Sequence, residues 1–426
     1  MSLTDKHILM LGYRGKVTHI ASVQNEGATL DLLIDKSEMK PEYEEEFHST
    51  YVVDDIYDWK QIEAVASAHA YDAIVTRFED FTTVVAALTD HLNLPGGRFE
   101  DAPKFRNKFL MRTAFAEHNV PSADFALVQS ADDAKELIKK HGFPLIVKQI
   151  AGIHSQYVAK VNNEQELQSS ITEFLTALGK ETAMIHGKLQ GYKEIVAPDP
   201  RTHLLVEECL TGEELTVDAF VVDDEIFSTP ICKYTMPHEM GIDDHYLPVR
   251  SIPYDVSPEE EKMIHSAVSA ALHALGANFC VTHTEVFFDR EKKECRLIEV
   301  ASRGGGFRAE MIMQTCGGDY DLGVMRAALG LDPKVASVPS SYAAVGEVFA
   351  AENGILESID YSCLEDQDDI HKLTVNRVVG EEVGRTSDGK AYILKFMVSA
   401  DSYAGATDRA KELVLKVRNS ITIRQS

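Results

Sequence analysis

Basic residues are scarce in this chain. Its 426 residues include 42 Lys and Arg against 68 Asp and Glu, which gives a formal net charge of −26. Binding to nucleic acid needs an excess of cations to neutralise phosphates, so this balance argues against a nucleic-acid partner. Any bound nucleotide must then be held by a few placed cations together with Mg²⁺.

Paired cysteines and long apolar runs are also missing. None of the six cysteines forms a C-x-x-C pair, so the sequence suggests neither a zinc site nor a disulfide framework. No apolar run approaches the roughly 20 residues of a membrane span. Asp5 and Lys6 precede the first short apolar run, a pattern that is not typical of a signal peptide. We therefore expect a reduced, cytoplasmic protein without membrane contact.

The order of predicted elements indicates an α/β protein with several lobes. Residues 1–100 alternate strand-like runs with helical spacing, which predicts a small parallel α/β domain. Residues 101–330 begin with a basic amphipathic helix, predicted over 103–118, and continue into further α/β segments. Residues 331–426 form a last α/β lobe that ends in a helix. We find no internal repeat and no low-complexity tract.

A predicted hairpin carries the most informative residues. Val281–Phe288 and Arg296–Ala301 alternate like strands, and the charged turn between them contains the midpoint of Glu285 and Glu299. The two carboxylates should therefore face each other with β-carbons roughly 5 Å apart. A hard cation between them makes a site of this repulsive pair, and Mg²⁺ favours carboxylates together with phosphates. The alternative is a solvated hairpin with incidental acids.

The residues after this hairpin complete a recognisable order along the chain. Arg303 and three glycines follow at once, and Lys108, Lys148, the acidic pair 207–208 and Glu214 come before it. This order, and the ending HTEV…LIEVASRGGG, resemble the ATP-grasp superfamily, in particular its L-amino-acid (dipeptide) ligase and carboxylate–amine ligase branch. The resemblance covers nearly the whole chain. It implies the ATP-grasp fold with an N-terminal pre-ATP-grasp domain, a lid lobe at about 125–205 and a C-terminal lobe.

The resemblance assigns nucleotide-binding roles to several positions. Lys148, at the end of a strand, matches the phosphate-binding lysine, and a strand-borne lysine is a suitable point charge for phosphate. Glu214 falls where the family places the acceptor of the ribose hydroxyls, with neighbouring Glu213 as the alternative. The remaining nucleotide positions are Lys108, Ser155 in a loop over the phosphates, and the hinge residues Glu207, Glu208 and Leu210.

The resemblance also assigns the metal and substrate positions. Glu285 and Glu299 match the magnesium ligands, while Ala301 replaces the usual asparagine, which removes one potential ligand. Mn²⁺ can substitute for Mg²⁺ in such sites. Arg303 would bind the acyl-phosphate and stabilise the tetrahedral intermediate. Further candidates for substrate contact are His283, Gly305 and Glu79, followed by His238, His245, Arg250 and Arg308.

The resemblance implies an ATP-dependent carboxylate–amine ligase with small-molecule carboxylate and amine substrates. It would form an amide or peptide bond through an acyl-phosphate and release ADP and phosphate. The family often forms dimers, so a homodimer is expected. Two alternatives stay open: an ATP-grasp ligase for carboxylation or purine-pathway amide formation, and a non-catalytic ATP-binding module.

Overall fold

The N-terminal region is a parallel sheet covered by helices. The computed structural model describes residues 2–15, 18–152, 157–180, 189–243, 248–335, 338–385 and 392–425. The strands pair in the order β3-β2-β1-β4, all parallel. Residues 8–11 are buried, as expected for a parallel strand that is covered on both faces. The elements of this region are β1 (His7–Leu11), α1 (Thr18–Asn25), β2 (Thr29–Asp35), α2 (Tyr43–Glu46), β3 (Ser49–Val53), α3 (Trp59–Ala66), β4 (Ala73–Thr76), a 3₁₀ turn (Glu79–Phe81) and α4 (Thr82–Leu92).

The basic helix predicted over 103–118 is in fact two helices, which corrects the prediction. The structure has α5 (Ala102–Arg106) and α6 (Lys108–Glu117), with Asn107 in extended conformation between them. The Asn107 side chain accepts hydrogen bonds from the backbone N–H groups of Phe109 and Leu110, which makes it the N-cap of α6. The break places Lys108 at the first position of a new helix, where its backbone N–H donates to the carbonyl of Ile150 over 2.6 Å.

A small lobe follows, built on an antiparallel sheet with strand order β5-β8-β6-β7. One hydrophobic cluster joins the sheet to its two helices, with Val147, Leu167 and Val206 at its centre. Its elements are β5 (Phe125–Val128), a 3₁₀ turn (Ala131–Ala134), α7 (Lys135–His141), β6 (Leu145–Gln149), β7 (Val158–Val161), α8 (Glu164–Leu178) and β8 (Leu204–Glu208).

A large sheet forms the body of the protein. Within the described ranges it contains nine strands in the order β14-β13-β9-β11-β12-β15-β19-β17, with β10 paired to β9. Its elements up to residue 330 are β9 (Glu213–Val222), β10 (Glu225–Ser228), β11 (Cys232–Thr235), a 3₁₀ turn (Pro237–Met240), β12 (Val249–Ile252), α9 (Pro258–Leu275), β13 (Cys280–Asp289), β14 (Glu294–Ala301), α10 (Arg308–Cys316) and α11 (Tyr320–Ala328).

The C-terminal segment extends this same sheet, because β15 pairs directly with β12 and then with β19. The hairpin of β13 and β14 and the strands β15, β17 and β19 therefore belong to one continuous sheet, whereas β16, β18 and β20 form a separate three-stranded sheet. The elements of this segment are β15 (Tyr342–Val348), β16 (Gly354–Ser358), a 3₁₀ turn (Ser362–Leu364), β17 (Ile370–Val375), β18 (Glu382–Val383), β19 (Leu394–Ala400), α12 (Tyr403–Asn419) and β20 (Thr422–Arg424).

The two faces of the large sheet have different environments. Val217, Ala219 and Val221 point to one face and pack with α9 in a closed hydrophobic core. The alternate residues of β9 point to the other face, where Phe220 and Val222 pack with α10 and α11. Nearer its beginning, β9 presents charged side chains on this second face, which we call the site face. Over the described part of the chain, no helix has both the length and the apolar content of a membrane span.

Candidate active site

The two predicted metal ligands face each other on the hairpin. β13 and β14 are antiparallel, and the register pairs Glu285 directly with Glu299, which confirms the predicted pairing. The register then skips Ile298, which forms a bulge beside the pair. The carbonyl of Ile298 accepts a hydrogen bond of 2.7 Å from the guanidinium of Arg112 on α6. The bulge is therefore held from the neighbouring helix, and it fixes the direction of the Glu299 side chain.

Lys108 lies against this pair, as a phosphate-binding or metal-site cation should. Its Nζ is 2.7 Å from Oε1 of Glu299, and the ion pair is largely buried. Burial raises the pKa of Glu299, but the charges of Lys108, Lys148 and Arg112 outweigh it and lower the pKa below its ordinary value. Glu299 is thus held as a carboxylate by cations from two other elements.

Lys148 is the centre of a buried charge cluster at the base of the small lobe. Its Nζ lies 2.7 Å from Oε2 of Glu207, and Nε of Arg112 lies 2.8 Å from Oε1 of the same carboxylate. All three side chains are buried. Burial lowers the pKa of Lys148 to about 8, and the charge of Glu207 opposes that fall. The cluster keeps Lys148 protonated at neutral pH and ties the small lobe to α6.

The two hinge acids face opposite sides of their strand, as the alternation of β8 requires. Glu207 belongs to the Lys148 cluster, whereas Glu208 receives both terminal nitrogens of Arg296 and the backbone N–H of Asp124. Each carboxylate is thus engaged with protein cations. Leu210, partly buried, follows the strand. Adenine contact by Glu207, Glu208 and Leu210 stays a prediction.

Glu213 and Glu214 are distinguished by their partners. The Glu213 carboxylate is bound by Lys233, by Tyr254 and by Arg290, at distances of 3.2, 2.5 and 2.7 Å. The Glu214 carboxylate has no hydrogen-bond or ion-pair partner among the residues that the structure describes. It lies on the site face with Glu285, and burial together with the charge of Glu285 raises its pKa to about 8. Glu214 is therefore the acid of the two that is available to a ligand.

His283 is buried near Glu285, and both of its ring nitrogens lie close to polar side chains. Its Nδ1 is 2.6 Å from Oδ1 of Asp218, and its Nε2 is 3.2 Å from the hydroxyl of Tyr234 and 3.7 Å from Oε1 of Glu285. Burial lowers the pKa of His283, but Asp218 and Glu285 outweigh burial and raise it, which favours the imidazolium. His283 is 7 % exposed, so it would act on a ligand mainly by orienting Glu285, which makes it a positioning residue in this geometry.

The glycine turn after Arg303 is bound to the same buried acid. The backbone N–H of Gly305 donates to Oδ2 of Asp218 over 2.8 Å. A β-carbon at Gly305 would overlap the ring of His283 and approach the Arg308 side chain. Glycine is therefore required at this close approach between the turn and the sheet.

Arg303 and Glu79 meet across the domains. Two guanidinium nitrogens of Arg303 lie 3.0 and 2.7 Å from Oε2 of Glu79, and Arg106 binds Oε1 at 2.6 Å. Glu79 was predicted to contact a substrate amine. In the structure its carboxylate forms ion pairs with two arginines, and contact between Glu79 and a substrate amine stays a prediction. The ion pair between Arg303 and Glu79 links the carboxyl end of the N-terminal sheet to the end of the hairpin.

Two predicted positions fall elsewhere. Ser155 and His245 lie outside the described residues. Arg308 is buried at 1 % exposure, bonds to Thr216 and lies near Asp218. It therefore packs inside the protein against the sheet and is not exposed to a ligand.

Sequence reasoning missed Asp218 and Arg112, which organise the site from behind. Asp218 is fully buried in an otherwise apolar stretch of β9, and bonds to His283, Gly305 and Tyr320. A charged residue inside the run Leu215–Val222 was the available signal, because a buried carboxylate needs a dedicated partner. Arg112 gave no such signal, since basic residues are common on an amphipathic helix.

The residues present fit a divalent cation. The carboxylates of Glu285 and Glu299 lie opposite each other in the register, and Glu214 lies on the same face, where burial and then the charge of Glu285 raise its pKa. Oxygen ligands and adjacent lysines for phosphate are the chemistry that Mg²⁺ and a nucleotide require. Ala301, opposite His283 in the register, supplies no ligand.

Known proteins share this fold, and one region of the chain matches a described domain family. Residues 141–310 match the family described as "ATP-grasp domain". The crystal structure of an L-amino acid ligase from Bacillus licheniformis superposes with a TM-score of 0.80 at 17 % identity, covering 99 % of both chains. The chain therefore contains an ATP-grasp domain and has the ATP-grasp fold, as the sequence predicted.

Curated relatives resemble part of the chain. An L-arginine-specific L-amino acid ligase of Bacillus subtilis is 25 % identical over 217 residues, 49 % of this chain and 48 % of the relative. The alanine–anticapsin ligase of Bacillus subtilis (strain 168) is 26 % identical over 263 residues, 58 % of this chain and 52 % of the relative. The match thus spans about half the length of these relatives.

Proposed function

We propose that this protein is an ATP-dependent carboxylate–amine ligase that acts on small molecules, with amino acids as the preferred class. One observation carries the proposal: the carboxylates of Glu285 and Glu299 face each other, Lys108 pairs with Glu299, and the charges of Lys148 and Arg303 act on this carboxylate pair. The names of the relatives, which are amino-acid ligases, support the choice of substrate class.

Glu285 and Glu299 would hold Mg²⁺, or Mn²⁺ in its place. When bound, the metal supplies charge neutralisation at the β- and γ-phosphates. Lys148 and Lys108 bind phosphate oxygens as point charges. The hinge residues 207–210 would contact the adenine of ATP, and Glu214 would accept hydrogen bonds from its ribose hydroxyls.

The proposed reaction has two steps. A carboxylate oxygen of the first substrate attacks the γ-phosphorus of ATP, and the bond to the β-phosphate oxygen breaks to release ADP. The amine nitrogen of the second substrate then attacks the acyl carbon of the resulting acyl-phosphate. Phosphate leaves and the amine loses a proton, giving the amide. The protein mainly positions these groups and stabilises their charge.

Arg303 would stabilise the tetrahedral intermediate of the second step. Burial opposes its charge, but Glu79 raises the pKa of the guanidinium above its ordinary value and keeps it cationic. The small lobe, residues 125–205, would act as a lid, because an acyl-phosphate exposed to water is hydrolysed. A cytoplasmic location and a homodimer belong to the proposal as sequence-based expectations.

The decisive experiment is a screen for ADP release with pairs of amino acids. ADP should form when a carboxylate and an amine are both present, and the product mass should equal the two substrates minus water. Glu299→Ala should fold and lose turnover by at least about 100-fold, since it removes a metal oxygen and the partner of Lys108. Glu294→Gln, exposed on the same hairpin strand, is the matched control and should keep full activity.

The alternatives give different results in the same screen. ADP release that requires bicarbonate would indicate carboxylation, and release with a purine precursor would indicate purine-pathway amide formation. Tight ATP binding without ADP over the whole panel would favour a non-catalytic ATP-binding module. Unchanged turnover in Glu299→Ala would remove Glu299 from the metal site.

A further inference from the structure

Lys395 is a cation on the site face that has no carboxylate partner among the described residues. It lies on β19 opposite Glu347 in the register, and it is half-buried. Its Nζ lies 4.0 Å from the ring centre of Phe307 and 5.0 Å from that of Tyr392. Within the described ranges, the salt bridges of this region involve other residues, and none includes Lys395.

The neighbouring cations are all neutralised. Arg250 binds Glu347 over 2.8 Å, and Lys372 binds Glu310 over 2.7 Å. These two pairs cancel, so Lys395 is the excess positive charge of the group. The attraction of an ammonium to an aromatic ring uses none of its N–H donors, so Lys395 can still donate hydrogen bonds to an anion.

This group lies beside the glycine turn that follows Arg303. Phe307 follows directly on the glycine turn after Arg303, and its ring also lies 5.3 Å from the guanidinium of Arg250. The charge of Arg250 in turn acts on Glu214 and lowers its pKa against the dominant effect of burial. Arg250 therefore lies between the two groups: its charge acts on Glu214, and its guanidinium and the ammonium of Lys395 both lie against the ring of Phe307.

The surroundings of Lys395 suit a carboxylate ligand. Burial lowers the pKa of Lys395, and the nearby acids Glu347 and Glu310 oppose that fall. A bound carboxylate would supply the missing counter-charge, while the ring of Phe307 packs against the carbon chain of the ligand. Among the described residues of this group only Lys395 lacks a carboxylate partner, so the group fits one carboxylate and not a polyphosphate.

We propose that Lys395 binds a carboxylate of the substrate pair that takes no part in the reaction. The inference rests on the proposed ligase function, in which one carboxylate is activated and any other must be held. This second carboxylate has two sources, the α-carboxylate of the amine substrate or an acidic side chain. In both cases Lys395 determines specificity through binding and does not contact the reacting atoms.

The test measures binding and so does not depend on turnover. Wild-type protein with Mg²⁺ and ADP is titrated calorimetrically with L-alanine, L-alaninamide, L-glutamate and L-glutamine. If the site takes the α-carboxylate, L-alanine should bind at least ten-fold more tightly than L-alaninamide. If it takes an acidic side chain, L-glutamate should exceed L-glutamine by the same factor. Lys395→Met, which keeps the apolar contact with Phe307, should abolish the preference.

Lys372→Met is the matched control, since Lys372 lies on the adjacent strand, is exposed and already has a carboxylate partner. It should retain the preference of the wild type. The proposal is overturned if the wild type shows neither preference, if Lys395→Met retains it, or if Lys372→Met loses it equally. A protein that shows the Lys395-dependent preference but releases no ADP would refute the ligase proposal and leave the carboxylate site standing.

Discussion

Glu207→Gln tests the charge cluster at the base of the small lobe, because it removes one charge and keeps the shape. The cluster holds Lys148 at 2.7 Å and Arg112 at 2.8 Å from one buried carboxylate. At an effective dielectric constant of about 20, a pair at this distance attracts by roughly 6 kcal/mol, of which desolvation cancels a large part. Removing the carboxylate leaves two buried cations that repel each other. We expect the free energy of unfolding to fall by about 3–5 kcal/mol.

A double-mutant cycle separates the Lys148 contact from general disruption. Lys148→Met should cost less than Glu207→Gln, about 1–3 kcal/mol, because Glu207 keeps its bond to Arg112. The double variant should cost less than the sum of the single variants, with a coupling of about 1–3 kcal/mol. The assay is urea unfolding followed by circular dichroism at pH 7. A coupling below about 0.5 kcal/mol would refute the reasoning.

The same variant has a kinetic consequence with a definite sign. Glu207 opposes the burial that lowers the pKa of Lys148 to about 8, so its loss lowers the pKa further. Only protonated Lys148 binds phosphate well. The KM for ATP should therefore rise above about pH 8 in the wild type, and the rise should begin at lower pH in Glu207→Gln. Identical pH profiles of KM would show that Lys148 does not bind the nucleotide.

Two further results are expected. Gly305→Ala should lower the Tm and abolish turnover, and the free energy of unfolding should fall by about 1–3 kcal/mol, since the new methyl group would overlap His283. Gly306→Ala is the control: its β-carbon would meet no neighbouring atom, so the Tm and turnover should not change. Mg²⁺–ATP binding at pH 7 should release protons, because the pKa of Glu214 lies at about 8 before a cation binds. Calorimetry in buffers of different ionisation enthalpy should detect this release, and Glu214→Gln should lose it; equal release in both proteins would contradict the assignment.

Local pattern was enough to predict the hairpin. The alternation of residues 281–288 and the position of the turn predicted that Glu285 faces Glu299. The structure reaches this pairing through the bulge at Ile298, because the register from the turn outward runs from Val286 opposite Leu297 to Glu285 opposite Glu299. The order of Lys108, Lys148, the hinge acids and Arg303 was likewise readable, since it depends on sequence position. The parallel N-terminal sheet followed from its apolar strands.

Local pattern failed where a residue's partner comes from a distant part of the chain. Spacing did not show whether Glu213 or Glu214 is available to a ligand. The two acids differ in their partners, because Tyr254 and Arg290 bind the carboxylate of Glu213. The helix predicted over 103–118 breaks at Asn107, whose side chain caps the second helix while the next N–H bonds to the small lobe. Helical periodicity does not report such a break.

The sequence by itself therefore determined which chemical groups this protein has and how the nearest of them pair, because neighbours along a hairpin or strand are fixed by backbone geometry. The tertiary structure alone decided which charges are engaged and which remain free for a ligand. Glu79 is bound by two arginines, Asp218 is buried behind His283, and Lys395 has no described carboxylate partner. The physical reason is that burial and counter-charge depend on contacts between residues far apart in sequence, and these set both pKa and availability.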